Sequence, residues 1–191
     1  MYRAVTLRVL EEKIPVNDVE RIGTLAEGIR IRLERSGSTN RVYVDSRDVT
    51  AEIRTERVTR NVSAVSSYQR VRSVMVREQR RMAEGGGVVL EGRDIATVVL
   101  PAADLKIFMI ARVSERVNRR KRELDSVGGS VDSATLQQQI LERDRLDSTR
   151  EASPLRRASG AIELDTSSMT IDEQVQFVVD RAREIIEGRG G

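Results

Sequence analysis

The chain has 191 residues, of which 39% are apolar and 33% charged, and its formal net charge is +3. This length and apolar share suit one domain with a real hydrophobic core. The sequence contains no His and no Cys, which excludes a Ser-His-Asp hydrolase, a zinc hydrolase and any disulfide. No run approaches the ~20 apolar residues that span a bilayer, and the first residues do not form a signal peptide. The sequence therefore predicts a soluble, cytoplasmic protein with no membrane partner.

The positive charge is carried almost entirely by arginine, because Lys13, Lys106 and Lys121 are the only lysines. A guanidinium stays charged and presents a planar fork of donors that suits phosphate and carboxylate. The composition therefore indicates phosphate-bearing partners. A genomic base composition that favours arginine codons would give the same excess, and both explanations stay open at this point.

The first half of the chain is predicted to be helical around one small hairpin. Apolar residues at helical spacing predict helices, and strict alternation predicts strands. The helices are predicted at Tyr2–Leu10, from the Asn17-Asp18 cap to about Glu27, and in at least two pieces between Thr50 and Met82; the strands are predicted at Ile29–Leu33 and Arg41–Val44, joined by the turn Ser36–Asn40.

In the second half, short apolar runs alternate with helical segments. The strands are predicted at Val88–Leu90, Leu105–Ile110 and Ala161–Leu164; the helices are predicted from Ser114, from about Ser133 to Thr149 and from Asp172 to Ile186, with a loop at Val127–Ser130. This alternation predicts an α/β fold with a parallel sheet.

Gly85-Gly86-Gly87 stands after a helix and before a strand, so it is interpreted as a helix stop and not as a phosphate loop.

The segment Glu91-Gly92-Arg93-Asp94 directly follows a predicted buried strand. In open α/β sheets, ligands bind beyond the carboxyl ends of the strands. Arg93 could clamp a phosphate there, and Asp94 could hold a base edge, a hydroxyl or Mg²⁺. A strand-end turn with a surface ion pair is an equally good interpretation of the position alone.

Arg143, Asp147 and Arg150 are spaced i, i+4 and i+7, which predicts that they share one helix face. Two guanidiniums that flank a carboxylate suit a ribose phosphate, because the carboxylate accepts from a hydroxyl while the arginines contact phosphate oxygens. The simpler alternative is a solvated i,i+4 charge pair worth ~0.3–0.5 kcal/mol, which is normally favoured for a charge run on a helix.

The basic stretch Arg119-Arg120-Lys121-Arg122 could be a mobile phosphate clamp or a nucleic-acid patch. Glu115, Glu123 and Asp125 flank it and weaken its field. Aromatic residues make up only 3% of the chain, so platforms for base stacking are poorly supplied. Nucleic-acid binding is therefore disfavoured.

Several ordered segments make the chain similar to bacterial cytidylate kinases over essentially its whole length. The matching segments are Met1-Tyr2-Arg3, Asp48–Thr55, Arg70-Val71-Arg72, Glu91–Val99, Glu142-Arg143-Asp144, Asp147–Arg150 and Ser153-Pro154-Leu155. The resemblance implies a P-loop nucleoside monophosphate kinase-like fold, with a parallel sheet, helices on both faces and a small antiparallel insert. It also implies a single domain over residues 1–191, with the monophosphate-binding insert at about 28–62 and the lid with its following helix at about 114–150.

The resemblance implies a role for individual residues, including Ser63 and Arg72, which carry no signal by themselves. Tyr2 and Arg3 would line the monophosphate site, with Arg3 on the acceptor phosphate; Ser63, Arg72 and Asp94 would read the cytosine edge; Arg93 would hold the CMP phosphate; Arg143, Asp147 and Arg150 would contact sugar and phosphate; and Arg119, in the lid, would approach the transferring phosphoryl group. Arg119 and Arg150 are the catalytic candidates among them.

The reaction that the resemblance implies is transfer of the ATP γ-phosphoryl group to CMP or dCMP with Mg²⁺, by a monomer whose partners are small nucleotides. Phosphoryl transfer needs positioning and positive charge more than covalent chemistry. An arginine-rich chain without His or Cys suits that requirement.

The sequence departs from the family pattern in three places. Ala96 stands where the family usually has Gly, and Ser153 where it usually has Ala. The family pattern opens with a strand and a P-loop before the Tyr-Arg pair, and no G-x-x-x-x-G-K-[ST] occurs in these residues. We therefore expect an N-terminally truncated chain that is inactive as written and poorly stable alone. The alternatives are a non-catalytic CMP-binding module and, more weakly, an RNA-binding protein whose affinity falls steeply with salt.

Overall fold

The structure, a computed structural model, describes residues 1–37, 39–126, 129 and 131–188. The chain divides into two compact units, which are described separately below. Unit 1 comprises Met1–Val89 and Arg150–Ala152, and unit 2 comprises Leu90–Thr149 and Ser153–Gly191. The assignment of one domain with an insert and a lid stays a prediction.

The described residues of unit 1 form four helices and a small antiparallel sheet. The helices are α1 (Tyr2–Glu11), α2 (Val19–Gly28), α3 (Glu56–Ser67) and α4 (Gln69–Ala83); the strands are β1 (Ile31–Ser36), β2 (Thr39–Val44) and β3 (Arg47–Asp48), and a 3₁₀ turn covers Glu52–Arg54. The strand order is β1-β2-β3, and β1 and β2 form a hairpin in which Ile31 lies opposite Val44. The helices and the hairpin predicted for this half are confirmed, and β3 adds a short third strand.

Helix α1 lies at the centre of the unit 1 core. Five of its residues are buried around its circumference, as expected for a helix enclosed by other elements. Val5 and Val9 belong to one apolar cluster, which also contains Ile14, Ile22, Ala26, Val65, Val71, Val74 and Met75. Ala4 and Leu7 belong to a second, with Val42, Val44, Val49, Ile53 and Val58. Helix α1 therefore joins the first cluster, which is formed mainly by helices, to the second, which includes residues of the hairpin.

Helices α2 and α4 are tied together by one arginine. Arg70 donates from Nε and Nη2 to the two carboxylate oxygens of Glu27, at 2.7 Å each, and from Nη1 to Glu20 at 3.1 Å. The hydrogen bond from Arg70 holds the pKa of Glu27 below its usual value. Gly23 makes this contact possible, because a Cβ there would lie 2.3 Å from Cδ of Arg70.

Unit 2 contains a parallel pair of strands with three helices. The strands are β4 (Ile107–Ile110) and β5 (Ile162–Asp165), paired from Ile107 opposite Ile162 to Ile110 opposite Asp165; the helices are α5 (Val113–Asp125), α6 (Ser133–Thr149) and α7 (Ile171–Gly188), and a short π-helix covers Ile95–Val99. Helices α5 and α6 pack against each other. The predicted α/β class with a parallel sheet is thus confirmed. Within the described residues, no helix is both long enough and apolar enough to cross a membrane.

The strand predicted at Val88–Leu90 is wrong. These residues have no regular secondary structure, and Val88 and Val89 are 46% and 88% exposed. An apolar run becomes a strand only where a neighbour supplies backbone partners, and in the described part of the chain the parallel sheet consists of β4 and β5. Val127, Gly128 and Ser130 of the predicted loop lie outside the described residues.

The carboxyl ends of β4 and β5 are joined by a polar network. The Asp165 carboxylate accepts from the Ser167 amide at 2.9 Å and from its hydroxyl at 2.6 Å, and that hydroxyl oxygen accepts from the Arg112 amide at 2.8 Å. The amide of Thr166 donates to the Ile110 carbonyl at 2.8 Å. The network fixes the start of α5 against the end of the sheet.

Acid is expected to weaken this network. The Ser167 hydroxyl and amide, with a smaller effect of Arg112, hold the pKa of Asp165 below its ordinary value. The carboxylate therefore stabilises the folded state above the unfolded pKa of about 4, and its contribution is lost as the pH falls through the lower folded pKa. In urea unfolding followed by circular dichroism, the stability difference between wild type and Asp165→Asn should shrink between pH 6 and pH 3. An equal difference at both values would contradict the expectation.

Candidate active site

In unit 1, Arg72 is a buried arginine held against the start of α1. It is 2% exposed, its guanidinium carbon lies 5.5 Å from the centroid of the Tyr2 ring, and its Nη1 donates to the Ser66 carbonyl at 3.2 Å. A cation over an aromatic face is worth ~0.5–2 kcal/mol, more when desolvated. The turn at Tyr68, whose backbone is extended between α3 and α4, places Arg72 beside the last turn of α3. Arg72 is thus oriented before any ligand arrives.

Ser63 and Arg3 lie in the same unit. The hydroxyl of Ser66 donates to the Ser63 carbonyl at 3.1 Å, so Ser63 lies in the helical turn that also contacts Arg72. Nη1 of Arg3 donates to the Ile53 carbonyl and to the Thr59 hydroxyl, at 2.9 Å each. Arg3 therefore braces the 3₁₀ turn against α3, and its role on an acceptor phosphate stays a prediction.

In unit 2, the Gly-Arg-Asp segment forms a tight turn that leads into the π-helix. Asp94 is 5% exposed and occupies the position before this helix, where its carbonyl accepts from the amides of Val98 and Val99 at 2.9 and 3.3 Å. Gly92 allows the turn to close, because a Cβ there would lie 2.9 Å from Cγ1 of Ile95. Single π-helical turns are frequent at functional sites.

Asp147 lies between two arginines. It is 4% exposed, and its Oδ2 lies 3.2 Å from Nε of Arg93 and 3.8 Å from Nε of Arg143. A buried carboxylate is tolerated when cations compensate it. The group of three carries one net positive charge, and the carboxylate fixes the direction in which the two guanidiniums lie. Such a group can bind an anion, and phosphate in particular.

Arg150 stands directly after α6, and its place on the face of Arg143 and Asp147 stays a prediction. Helix α6 ends at Thr149, and Arg150 belongs to the short segment grouped with unit 1. The helix stops there because the chain turns sharply: Ser153 has a φ of +54°, Pro154 has no amide hydrogen, and the Leu155 amide returns to the Asp147 carbonyl at 2.7 Å.

Arg119 is engaged by its own unit. Its Nε donates to Glu115 at 3.1 Å, its Nη1 to the Thr166 hydroxyl at 3.1 Å, and its Nη2 to the Thr166 carbonyl at 2.5 Å. In this conformation Arg119 joins α5 to the end of β5. Its approach to a transferring phosphoryl group stays a prediction.

Comparison with known proteins identifies a family for the chain. The family model described as "Cytidylate kinase" matches residues 1–184. The chain is 43% identical over 179 residues to the cytidylate kinases of Bacillus thuringiensis (strain Al Hakam), Bacillus cereus (strain AH187) and Bacillus anthracis (strain CDC 684 / NRRL 3495), which covers 94% of this chain and 80% of each relative. The chain belongs to the cytidylate kinase family. It is thus a member of a family of phosphotransferases with the P-loop nucleoside monophosphate kinase fold.

The basic stretch of this cytidylate kinase family member is largely paired. Nη1 of Arg120 lies 2.6 Å from Glu123, and Nη2 of Arg122 lies 3.2 Å from Glu115. Carboxylates therefore meet the guanidiniums along α5, as the flanking acidic residues indicated. This pairing reduces the unbalanced positive charge along α5.

Two features of the unit 2 site were missed by the sequence analysis. One is Thr166, which is 2% exposed and holds Arg119. The other is an ion pair between Arg116 on α5 and Asp144 on α6. Asp144 belongs to a segment that matches the cytidylate kinases, but nothing in the spacing of the sequence indicated its partner.

Proposed function

We propose that the chain recognises the acceptor nucleotide of a cytidylate kinase reaction, in which the ATP γ-phosphoryl group is transferred to CMP or dCMP. The observation that carries the proposal is the position of Asp147 between Arg93 and Arg143 in a member of this family. In the reaction, the bond between the γ-phosphorus of ATP and its bridging oxygen breaks, and an oxygen of the CMP phosphate bonds to that phosphorus. ADP leaves, and CDP or dCDP is formed.

The arginines beside Asp147 suit the CMP phosphate. Arg93 contacts Asp147 through Nε, and a guanidinium has four further N–H donors in the same plane. A charge-assisted pair of such donors fixes both the position and the orientation of a phosphate. In the proposal, Asp147 holds the guanidiniums and accepts from a sugar hydroxyl, and Arg150 contributes to the phosphate contacts.

Recognition of the base is assigned to Ser63, Arg72 and Asp94, as the family resemblance implies. Arg72 supports this assignment because Tyr2 and the Ser66 carbonyl hold its guanidinium in a fixed direction. A preoriented donor loses little rotamer entropy when a ligand binds. Tyr2 and Arg3 are assigned to the acceptor monophosphate.

The phosphoryl donor in the proposal is ATP with Mg²⁺, approached by Arg119. The described residues contain no group of three or more carboxylates placed to hold a metal ion. The 191 residues contain no G-x-x-x-x-G-K-[ST], and that loop supplies the amides and the Lys that cradle ATP phosphates. We therefore propose that these 191 residues bind CMP but do not turn it over.

Two measurements on the purified 191-residue chain test the proposal. Titration calorimetry with CMP, UMP and ATP–Mg²⁺ should show binding of CMP, weaker binding of UMP and no binding of ATP. An assay of CDP formation should stay at background. A folded chain that binds no CMP would contradict the proposed function, and CDP formation at a normal rate would contradict only the loss of turnover. CMP binding without turnover is also the behaviour of the non-catalytic binding module.

A further inference from the structure

The inward face of α6 changes character along its length. Five residues on this face are buried or half-buried and follow the spacing i, i+4, i+7, i+8 and i+11: Leu136, Ile140, Arg143, Asp144 and Asp147. The first two are apolar, while the other three are charged. The helix also carries two leucines away from this face, which are 47% and 40% exposed. The carboxyl-terminal half of α6 is therefore oriented by charged contacts and not by an apolar seam.

The strongest of these contacts to a neighbouring helix is the pair between Arg116 and Asp144. Both nitrogens of the guanidinium fork meet the carboxylate, with Nη2 donating to Oδ1 at 2.9 Å and Nη1 to Oδ2. Both side chains are about 70% buried, with exposed fractions of 30% and 29%. The hydrogen bond from Arg116 to Asp144 raises the pKa of the guanidinium. A bidentate pair of this kind fixes an angle as well as a distance.

We propose that Asp144 is a positioning residue, which sets the rotation of α6 on α5 and so directs Arg143 toward the CMP phosphate and Asp147 toward the sugar. The inference rests on the proposed function of that cluster. Asp144 precedes Asp147 by three residues and adjoins Arg143, so any rotation of the helix at Asp144 moves both of them. Asp144 itself does not contact the substrate.

The geometry makes the cluster sensitive to this rotation. A guanidinium ~7 Å from the helix axis moves by ~2 Å when the helix turns by ~20°. Hydrogen bonds to phosphate tolerate only a few tenths of an ångström around 2.8 Å. Loss of the Arg116–Asp144 pair therefore disturbs phosphate contacts without touching the base-reading residues of unit 1.

The test compares CMP with cytidine, which lacks the phosphate. Titration calorimetry with wild type and Asp144→Asn should show ~10-fold weaker CMP binding in the variant, with a smaller loss of cytidine affinity, because cytidine shares only the sugar contact of Asp147. Exchange of the pair in the double variant Arg116→Asp with Asp144→Arg should restore CMP affinity, because the pair is rebuilt with opposite polarity. Glu142→Gln is the matched control, since it removes a carboxylate of the same helix whose partner, Arg145, is exposed; it should leave both affinities unchanged.

Each outcome decides the inference. Equal loss of CMP and cytidine affinity in Asp144→Asn would mean general loosening and would overturn it, as would unchanged CMP affinity. If Asp144→Asn does not fold, Arg116→Lys decides instead: it keeps the charge, loses the fork, and should weaken CMP binding more than cytidine binding. A folded wild type that binds no CMP would instead overturn the proposed function and, with it, this inference.

Discussion

Replacement of Arg93 by Met is expected to weaken CMP binding by at least ~100-fold, because a bidentate charged contact to phosphate is worth ~3 kcal/mol. The same change should lower the stability of unit 2 by about 3 kcal/mol, since it removes a cation that lies 3.2 Å from the buried Asp147 carboxylate. Arg143 remains 3.8 Å away and keeps the cost at the lower end of the range for broken buried pairs. Calorimetry with CMP and urea unfolding followed by circular dichroism measure the two effects.

A second variant separates binding from stability. Arg93→Met combined with Asp147→Leu removes the buried carboxylate as well and should recover most of the lost stability, because apolar groups often replace a buried ion pair without cost. CMP binding should stay lost. Arg145→Met is the control for removing an arginine from this region, because Arg145 pairs with Glu142 on the exposed side of α6. CMP affinity within a few-fold of wild type in Arg93→Met would show that the cluster does not hold the phosphate.

Replacement of Ile22 by Ala is expected to have the largest effect on the fold of unit 1. Ile22 is fully buried on α2 in the cluster that joins α2, α3 and α4 to α1. An Ile→Ala change in such a core costs about 3 kcal/mol and lowers the melting temperature of a unit of this size by roughly 10–20 °C. The three tyrosines, Tyr2, Tyr43 and Tyr68, all belong to unit 1, so tyrosine fluorescence follows its unfolding selectively.

The matched control is Val19→Ala on the same helix, where an apolar side chain is 42% exposed and the same tyrosines report on unfolding. A surface substitution of this kind should change stability by less than ~0.5 kcal/mol. A small effect at Ile22, or equal effects at both positions, would mean that the α1-centred core does not carry the stability of unit 1.

The helices could be predicted well from the sequence because their signals are local. The bounds predicted for the helix over Ser133–Thr149 match those of α6, and Asp18 caps α2 as expected, accepting from the Arg21 amide at 3.1 Å. The strand at Val88–Leu90 could not be judged locally. A strand depends on a partner elsewhere in the chain, and three apolar residues carry no information about whether that partner is present.

The candidate site was predicted in part. The sequence placed Arg143 and Asp147 on one helix face, and both residues lie together in unit 2. Arg93 was singled out for its position after an apolar run, but its contact with Asp147 spans 54 positions along the chain, which no spacing rule reaches. The Arg116–Asp144 pair and the bond from Arg119 to Thr166 depend in the same way on how α5 packs.

The measurement that tests the central claim most directly is calorimetric titration of the 191-residue chain with CMP and, separately, with cytidine. If the arginines around Asp147 hold the acceptor phosphate, CMP should bind at least ~100-fold more tightly than cytidine, which corresponds to the ~3 kcal/mol of a charged bidentate contact. Equal affinities for the two ligands, or no binding of CMP by a chain whose circular dichroism shows it to be folded, would contradict the account.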